Sequence, residues 1–264
     1  MKTNIAINGA CGRMGQRLIA LAHEDQELTI VAAVDWAGHP AQSRDAGDVA
    51  GIGPLGVTVT PELPLSVTPD VLIDFSVPDG SMAAVKTCEA RKIPIVVATT
   101  GHTDEQRKEI ESAAHATALL FSPSMSLVVN LLFKLVGDTA TALKGKGFDV
   151  EVVERHHRFK RDSPSGTAMH FARVIQKAMD LPKLVHGREG IIGERPSNEI
   201  GVHAIRAGDN VGEHTIIFSA LGETLELVHK GYSRDSYARG ALLAAKFLAN
   251  KPAGRYTMAD VLGL

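Results

Sequence analysis

A glycine-rich turn near the N-terminus constrains the fold more than any other feature of the chain. Gly9-Ala10-Cys11-Gly12-Arg13-Met14-Gly15 directly follows a short apolar run, Asn4 to Asn8, and Gly15, Leu18, Ile19 and Ala22 then recur at helical spacing. A strand, a glycine turn and a helix in that order open a βαβ unit, which implies a parallel sheet. Glycines at such a turn let the backbone approach a pyrophosphate, while the helix N-terminus presents unpaired N–H groups and the positive end of its dipole. The spacing Gly-x-x-Gly-x-x-Gly is a variant of the usual Gly-x-Gly-x-x-Gly. Leu28 to Val34 is apolar and rich in β-branched residues, and it stops at Asp35, 20 residues after Gly15. An acid there is placed to bind ribose hydroxyls. Many glycine-rich turns are only tight turns; the context here favours a dinucleotide site.

The alternation continues through the first half. Strand patterns at Val71 to Phe75, Ile95 to Ala98 and Ala118 to Phe121 are separated by helical patterns at Asp79 to Arg91 and Thr103 to Ala114, the latter opening on a Thr103/Gln106 capping box. Two turns follow strands of this set, Thr99-Thr100-Gly101 and Ser122-Pro123-Ser124-Met125. Ligands of open α/β sheets lie beyond the carboxyl ends of the strands, so both turns are candidates to line a nicotinamide pocket, although ordinary loop chemistry explains them equally well. After residue 125 the pattern changes. Ser126 to Leu143 reads as a helix. Phe148, Val150 and Val152 alternate with Asp149 and Glu151 as in a half-exposed strand, and a helix follows near 165–180. Strand patterns at Val202–Arg206, Thr215–Ser219 and Thr224–His229 precede a long helix, Ser233 to Leu248, and a short helical turn at Thr257 to Leu262. The expected fold class is α/β: a Rossmann-type parallel-sheet domain (1–125 with 235–264) plus an α+β domain (126–234) with an open mixed sheet. Such a sheet needs its second face covered, often by a partner subunit.

Composition narrows the function. With 264 residues, 44% of them hydrophobic, the chain can bury substantial cores. A net charge of −2 without a long basic run disfavours nucleic acid or a membrane surface as partner. No apolar run reaches the length of a membrane span, and no signal-peptide pattern opens the chain, so a cytoplasmic location is expected. The two cysteines, Cys11 and Cys88, form neither a disulfide framework nor a zinc motif.

The second informative stretch runs Glu154-Arg155-His156-His157-Arg158-Phe159-Lys160-Arg161-Asp162-Ser163-Pro164-Ser165-Gly166-Thr167-Ala168. Its density of Arg, Lys and His suits an anionic ligand. Ala168, Phe171, Ala172 and Ile175 mark the apolar face of a helix whose first turn Pro164 suits and whose cap is Ser163 or Ser165. Amides near Gly166 and Thr167 then make a carboxylate site at a helix N-terminus. Lys160 and His156 can hand over protons beside it. A solvated basic loop before a capped helix is the plainer alternative. A metal is not expected, because adjacent histidines on an extended chain face opposite ways and no third ligand stands at a fitting spacing.

This segment resembles the signature of the 4-hydroxy-tetrahydrodipicolinate reductases, also called dihydrodipicolinate reductases. The loop Gly9 to Gly15, Asp74-Phe75-Ser76, Thr99-Thr100-Gly101, Arg206-Ala207-Gly208 and Val211-Gly212-Glu213-His214 are similar to that family as well, so the likeness spans nearly the whole chain. The resemblance implies NAD(P)H-dependent reduction of a small cyclic imine dicarboxylate in diaminopimelate and lysine biosynthesis. It implies His156 and Lys160 as catalytic proton-transfer groups, and His157, Gly166 and Thr167 on the substrate carboxylates. It implies Gly9, Ala10, Cys11, Gly12, Arg13, Met14, Asp35, Ala98, Thr99, Thr100, Ser122, Pro123, Ser124 and Met125 around the cofactor, and a homotetramer. Asp35 favours the free hydroxyls of NADH over the 2′-phosphate of NADPH. Trp36 stands where many relatives carry a basic residue, while Arg13 can still reach a phosphate, so NADH is preferred with dual use open. One further departure is Val128, in Ser126-Leu127-Val128-Val129-Asn130, where the family carries a glycine. A dehydrogenase for another small carboxylate and a non-enzymatic nucleotide sensor are the competing readings.

Overall fold

The computed structural model describes residues 2–264. They form two compact units, one made of the residues up to Leu127 together with Arg234–Leu264, the other of Val128–Ser233.

The first unit runs β1 (Thr3–Asn8), α1 (Arg13–Glu24), β2 (Leu28–Val34), α2 (Ala46–Ala50), β3 (Val59–Thr60), β4 (Val71–Asp74), α3 (Pro78–Arg91), β5 (Ile95–Val97), α4 (Asp104–Ser112) and β6 (Ala118–Phe121). Its seven strands, counting one from the C-terminal segment, lie in the order β12-β6-β5-β4-β1-β2-β3 and pair in parallel throughout. β1 pairs with both β2 and β4, so the strand order reverses at β1, the place where such sheets bind ligands. The pleat sends successive side chains to opposite faces. Ile5 and Ile7 join Leu18, Ile19 and Ala241 on one side; Ala6 joins Leu72, Val85 and Ile95 on the other. Because both faces are covered, Val71 to Ile73 of β4 and all of β5 read as unbroken apolar runs rather than alternations. α4 carries the expected capping box, with the Thr103 hydroxyl accepting from the Gln106 amide and the Gln106 side chain accepting from the Thr103 amide at 2.9 Å.

The second unit follows as α5 (Leu127–Leu143), β7 (Asp149–His156), α6 (Gly166–Met179), β8 (Lys183–Val185), β9 (Glu199–Arg206), β10 (Gly212–Ala220) and β11 (Glu223–Gly231). The chain then returns to the first unit as α7 (Asp235–Leu248), β12 (Gly254–Tyr256) and α8 (Met258–Leu262). The second sheet has the order β11-β10-β7-β9-β8, antiparallel among β11, β10 and β7 and parallel among β7, β9 and β8, as an open mixed sheet should be. On one face Val150, Val152, Ile200, Val202, Ile216 and Phe218 pack against Val136 of α5 and Phe171, Ala172 and Ile175 of α6. The opposite face is polar and apolar in turn. Glu151 there accepts from Arg188, Arg195 and His203, while Ile205 and Val228 are each 46% exposed.

Two local expectations change. Pro164 lies outside the first turn of α6: the helix begins at Gly166, and Ser165 is its cap, its hydroxyl accepting from the Ala168 amide at 3.2 Å. Val128 lies in the first turn of α5, 57% exposed, and is not among the residues with positive φ, so its backbone does not require glycine.

Phe171 is wholly buried, with its ring centroid 4.5 Å from that of Phe133. Phe171→Ala is expected to lower the unfolding free energy of the second unit by about 3–5 kcal/mol, measurable as a lower urea midpoint with an unchanged slope.

Candidate active site

In the first unit the glycine loop is closed by its own hydrogen bonds. The Gly9 and Ala10 amides both donate to the Val34 carbonyl, at 2.9 and 3.0 Å, and the Gly12 amide donates to the Gly9 carbonyl at 3.1 Å. The Cys11 amide donates to the Asp35 carboxylate at 2.7 Å, and the Trp36 amide to its other oxygen at 2.9 Å. The loop amides are therefore committed to the turn. Open donors begin with the first turn of α1, whose cap residue Gly12 supplies no side-chain hydrogen bond. Gly9 sits at φ +76°, and a Cβ there would lie 2.4 Å from the Phe75 carbonyl oxygen; one at Gly15 would lie 2.1 Å from the Gly9 carbonyl oxygen. Neither position admits a side chain, so the turn brings β1, β4 and α1 as close as backbone allows.

Beside this loop lies a cavity of about 630 Å³ lined by Gly9, Gly12, Asp35, Trp36, His39 and Leu63 among others. Its size, the glycine wall, the open amides of α1 and the carboxylate rim fit the adenosine half of a dinucleotide. Ala10 and Cys11 turn their side chains into the core, so only their backbone faces the turn. Burial, with Asp35 adding to it, pushes the Cys11 thiol up to about 11, which leaves it protonated and unreactive at neutral pH. Arg13 is exposed and Met14 half-buried at the start of α1.

The turns after β5 and β6 stand at the same carboxyl end of the sheet, outside the lining of that cavity. The first of them is built on Asp74, which is wholly buried at the end of β4. Asn8 Nδ2, the Ser76 hydroxyl and the Thr99 hydroxyl donate to its carboxylate at 2.8, 2.6 and 2.7 Å. The Ala98 amide donates to the Asp74 carbonyl. The Ser122 hydroxyl donates to the Ser124 carbonyl at 2.8 Å, and Met125 is buried in the core, while Thr100 and Pro123 are exposed. Thr99, Ser122 and Met125 thus shape the turns, and Thr100 is the exposed side chain of its turn.

The second unit gathers His156, Lys160, Gly166 and Thr167 around one carboxylate that sequence reading gave no role. Glu154 is wholly buried in β7. It accepts from His156 Nδ1 at 2.5 Å, from the Ser165 amide at 2.9 Å, and from both terminal nitrogens of Arg206 at 2.7 and 2.8 Å. His156 is thereby tied to the N-terminus of α6, where the amides of Gly166 and Thr167 have no partner within the helix. Lys160 lies in the loop that follows, its Nζ 2.8 Å from Asp162. The His157 amide donates to the Asn210 carbonyl at 2.8 Å, and the Lys160 amide to the His157 carbonyl at 3.1 Å. Glu154 shares the phase of Val150 and Val152 in the strand alternation. A charged residue in the buried phase of a strand was the available signal for it.

The electrostatics follow from these contacts. Burial alone would raise the Glu154 carboxyl, but hydrogen bonds from His156, Arg206 and the Ser165 amide outweigh it and hold it at about 2. Across the sheet, burial is similarly outweighed at Glu151 by Arg188, His203 and Arg195, again to about 2. His214, paired with Glu154 in the β7–β10 register, is pushed down to about 3 by burial, with His156 and His229 adding to the effect. Among the described residues, no group of three or more His, Cys, Asp or Glu is arranged to hold a metal ion, and no helix is long and apolar enough to cross a membrane.

A nucleotide-type α/β unit and a second unit in which a histidine and a buried carboxylate meet an open helix N-terminus fit one class: a two-unit oxidoreductase of Rossmann type. Profiles described as "Dihydrodipicolinate reductase, N-terminus" and "Dihydrodipicolinate reductase, C-terminus" match residues 3–125 and 128–262. The 4-hydroxy-tetrahydrodipicolinate reductase of Rhodopirellula baltica is 45% identical, over 99% of this chain and 96% of its own. That of Anaeromyxobacter sp. (strain Fw109-5) is 45% identical over 99% and 98%. In three dimensions, a dipicolinate-bound dihydrodipicolinate reductase from Paenisporosarcina sp. TG-14 superposes with a TM-score of 0.78 at 24% identity, covering 98% of this chain and 99% of the other. The chain belongs to the dihydrodipicolinate reductase family.

The pKa shifts set an acid limit on the second unit. His214 has a folded value near 3 against an ordinary 6.5, so the unfolded chain takes up a proton first, and stability is lost as pH falls from 6.5 towards 3. Glu154 and Glu151 have values near 2 against 4.5, so their contribution is complete above 4.5 and lost as pH falls towards 2. Each such proton steepens the loss by about 1.4 kcal/mol per pH unit. His214→Phe is expected to flatten the pH dependence of unfolding between pH 5.5 and 4.5 by about one proton's worth, read from urea midpoints at stepped pH.

Proposed function

We propose that this chain reduces 4-hydroxy-tetrahydrodipicolinate to tetrahydrodipicolinate with loss of water, using a nicotinamide cofactor, in diaminopimelate and lysine biosynthesis. The observation that carries the reading is the joining, through Glu154, of His156 to the N-terminus of α6. This is a proton-handling ring beside open amides, the combination that reduction of a dicarboxylate imine requires, in a chain of this family.

A bound nicotinamide supplies the hydride. The chain's residues do the rest. The Gly166 and Thr167 amides, with the dipole of α6 behind them, hold a substrate carboxylate, and His157 adds a donor. Lys160, with Asp162 against its ammonium, delivers the proton that must follow hydride to the substrate. His156 exchanges a proton through Nε2, the ring nitrogen that Glu154 leaves open. Glycine at 212 keeps that nitrogen clear, since a Cβ there would lie 2.9 Å from it.

In the first unit Gly9 to Met14, Asp35, the Ala98-Thr99-Thr100 turn and Ser122 to Met125 are proposed to hold the cofactor, with NADH preferred and NADPH accepted. Support comes from the carboxylate of Asp35 on the cavity rim, which a 2′-phosphate would meet unfavourably, and from Trp36, an uncharged wall beside it. The open, partly apolar face of the second sheet supports a homotetramer. A cytoplasmic location is the corresponding proposal.

The test is turnover. With substrate generated by the preceding synthase, oxidation of NADH or NADPH is expected on mixing; no turnover with either would remove the reading. Lys160→Ala should lower kcat by on the order of 10²-fold or more, whereas a kcat within twofold of wild type would assign Lys160 another role. Trp36→Arg should raise kcat/KM for NADPH relative to NADH by about tenfold, the scale of one added charge on a phosphate. A hundredfold NADPH preference in the unaltered protein would overturn the argument from Asp35.

A further inference from the structure

The proton-transfer groups of the second unit converge on a pair that touches neither hydride nor carboxylate in the reading above. Arg206, the last residue of β9, turns both terminal nitrogens to Glu154, at 2.7 and 2.8 Å. One of the two also donates to the Asp162 carbonyl at 2.6 Å, and the other to the Ile205 carbonyl at 2.9 Å. The Asp162 carboxylate holds Lys160 Nζ at 2.8 Å. Glu154 in turn holds His156 Nδ1 and the Ser165 amide. A single fork–carboxylate pair therefore links His156, the α6 N-terminus and the Lys160 loop by unbroken hydrogen bonds.

We propose that Glu154 and Arg206 are positioning residues for the reaction: Glu154 fixes His156 as the Nδ1–H tautomer with Nε2 facing outward, and Arg206 locks Glu154 and the Lys160 loop into one frame. The proposal rests on the reductase reading of this site. The geometry gives each partner a reason. Glu154 accepts hydrogen bonds at both oxygens and offers no proton, so the neutral ring of His156 must present N–H at Nδ1. Wholly buried, Glu154 requires a countercharge, and a planar fork satisfies two oxygens at once as an ammonium cannot. The remaining groups facing the ring are His214, 5.4 Å away between centroids, and Gly212, and neither accepts from Nδ1.

Glu154→Gln separates positioning from folding. Its carbonyl can keep the Ser165 amide and one Arg206 nitrogen, while its amide must then donate to His156 Nδ1 and drive the ring proton to Nε2. The expected result is a kcat lower by on the order of 10²-fold, the scale of mis-set general acid–base chemistry, with KM for substrate changed less than threefold. A kcat within threefold of wild type, or a loss confined to KM, would overturn the proposal. The tautomer is read directly by ¹⁵N spectra of histidine-labelled protein at a pH where the rings are neutral, with His156→Asn used to assign the resonance. Wild type should show Nδ1 protonated; an Nε2–H ring there would overturn the proposal even if Glu154→Gln failed to fold. Because this spectrum needs no turnover, a wild-type protein inactive with both cofactors would sink the reductase reading while the positioning of His156 was still decided.

Discussion

A buried carboxylate at or near the carboxyl end of a central strand organises each unit. Asp74 ends β4, the middle strand of seven, and Glu154 lies two residues before the end of β7, the middle strand of five. Both are wholly buried. An unpaired carboxylate in such a place would be costly, so each must collect donors, and the donors available are at the ends of the strands and on the loops that follow them. Asp74 draws in Asn8, Ser76 and Thr99, fixing the ends of β1, β4 and β5 against one another. Glu154 draws in His156, Ser165 and Arg206, fixing the ends of β7 and β9 and the start of α6. The requirement to satisfy a buried charge thus becomes the means of holding loops in place.

The glycine loop obeys a related economy. Its amides are committed to the Val34 carbonyl, the Asp35 carboxylate and the Gly9 carbonyl. What it provides is therefore close approach rather than donors: with no Cβ at Gly9 or Gly15, the first turn of α1 sits directly over the end of β1. Asp35 acquires a structural duty from the same arrangement. It clamps the Cys11 amide as well as facing the cavity, so a change of this residue disturbs the loop together with the cavity wall.

Much of this was legible in the sequence because it rests on local signals. The apolar runs of the first half mark its buried parallel strands, the glycines mark the turn, and Thr103 with Gln106 marks a cap. The two-residue β3 and three-residue β8 and β12 were not legible, since strands so short carry no period; they form because a neighbouring strand already presents a ladder edge. β9 begins earlier than its pattern suggested because Glu199 and Gly201 break the alternation, yet both pair with neighbouring strands, and Glu199 is kept buried by Lys183 and Arg188. In the site, His156, Lys160 and the α6 amides were visible as residue types that carry chemistry. Arg206 was visible only through resemblance, because it lies 50 residues from His156 in sequence and joins it only through the β7–β9 register. Ser165 emerged as the cap over Ser163, and Pro164 fell outside the helix, since capping depends on where the first helical φ/ψ pair falls.

The histidines near His156 show what sets that ring apart in its surroundings. His214 and His229 face one another across the β10–β11 pair, His214 opposite Glu154, with ring centroids 5.8 Å apart, and both are buried. Burial lowers the proton affinity of both, and His156 adds to the effect at each. His156 differs by one contact, the carboxylate at Nδ1. The same strand phase that places Glu154 next to His156 places His214 opposite Glu154 and Phe171 beneath His214, at 5.9 Å between ring centroids. The apolar floor and the charged pair are thus set by one pleat, which leaves His156 as the ring whose Nδ1 meets a buried carboxylate.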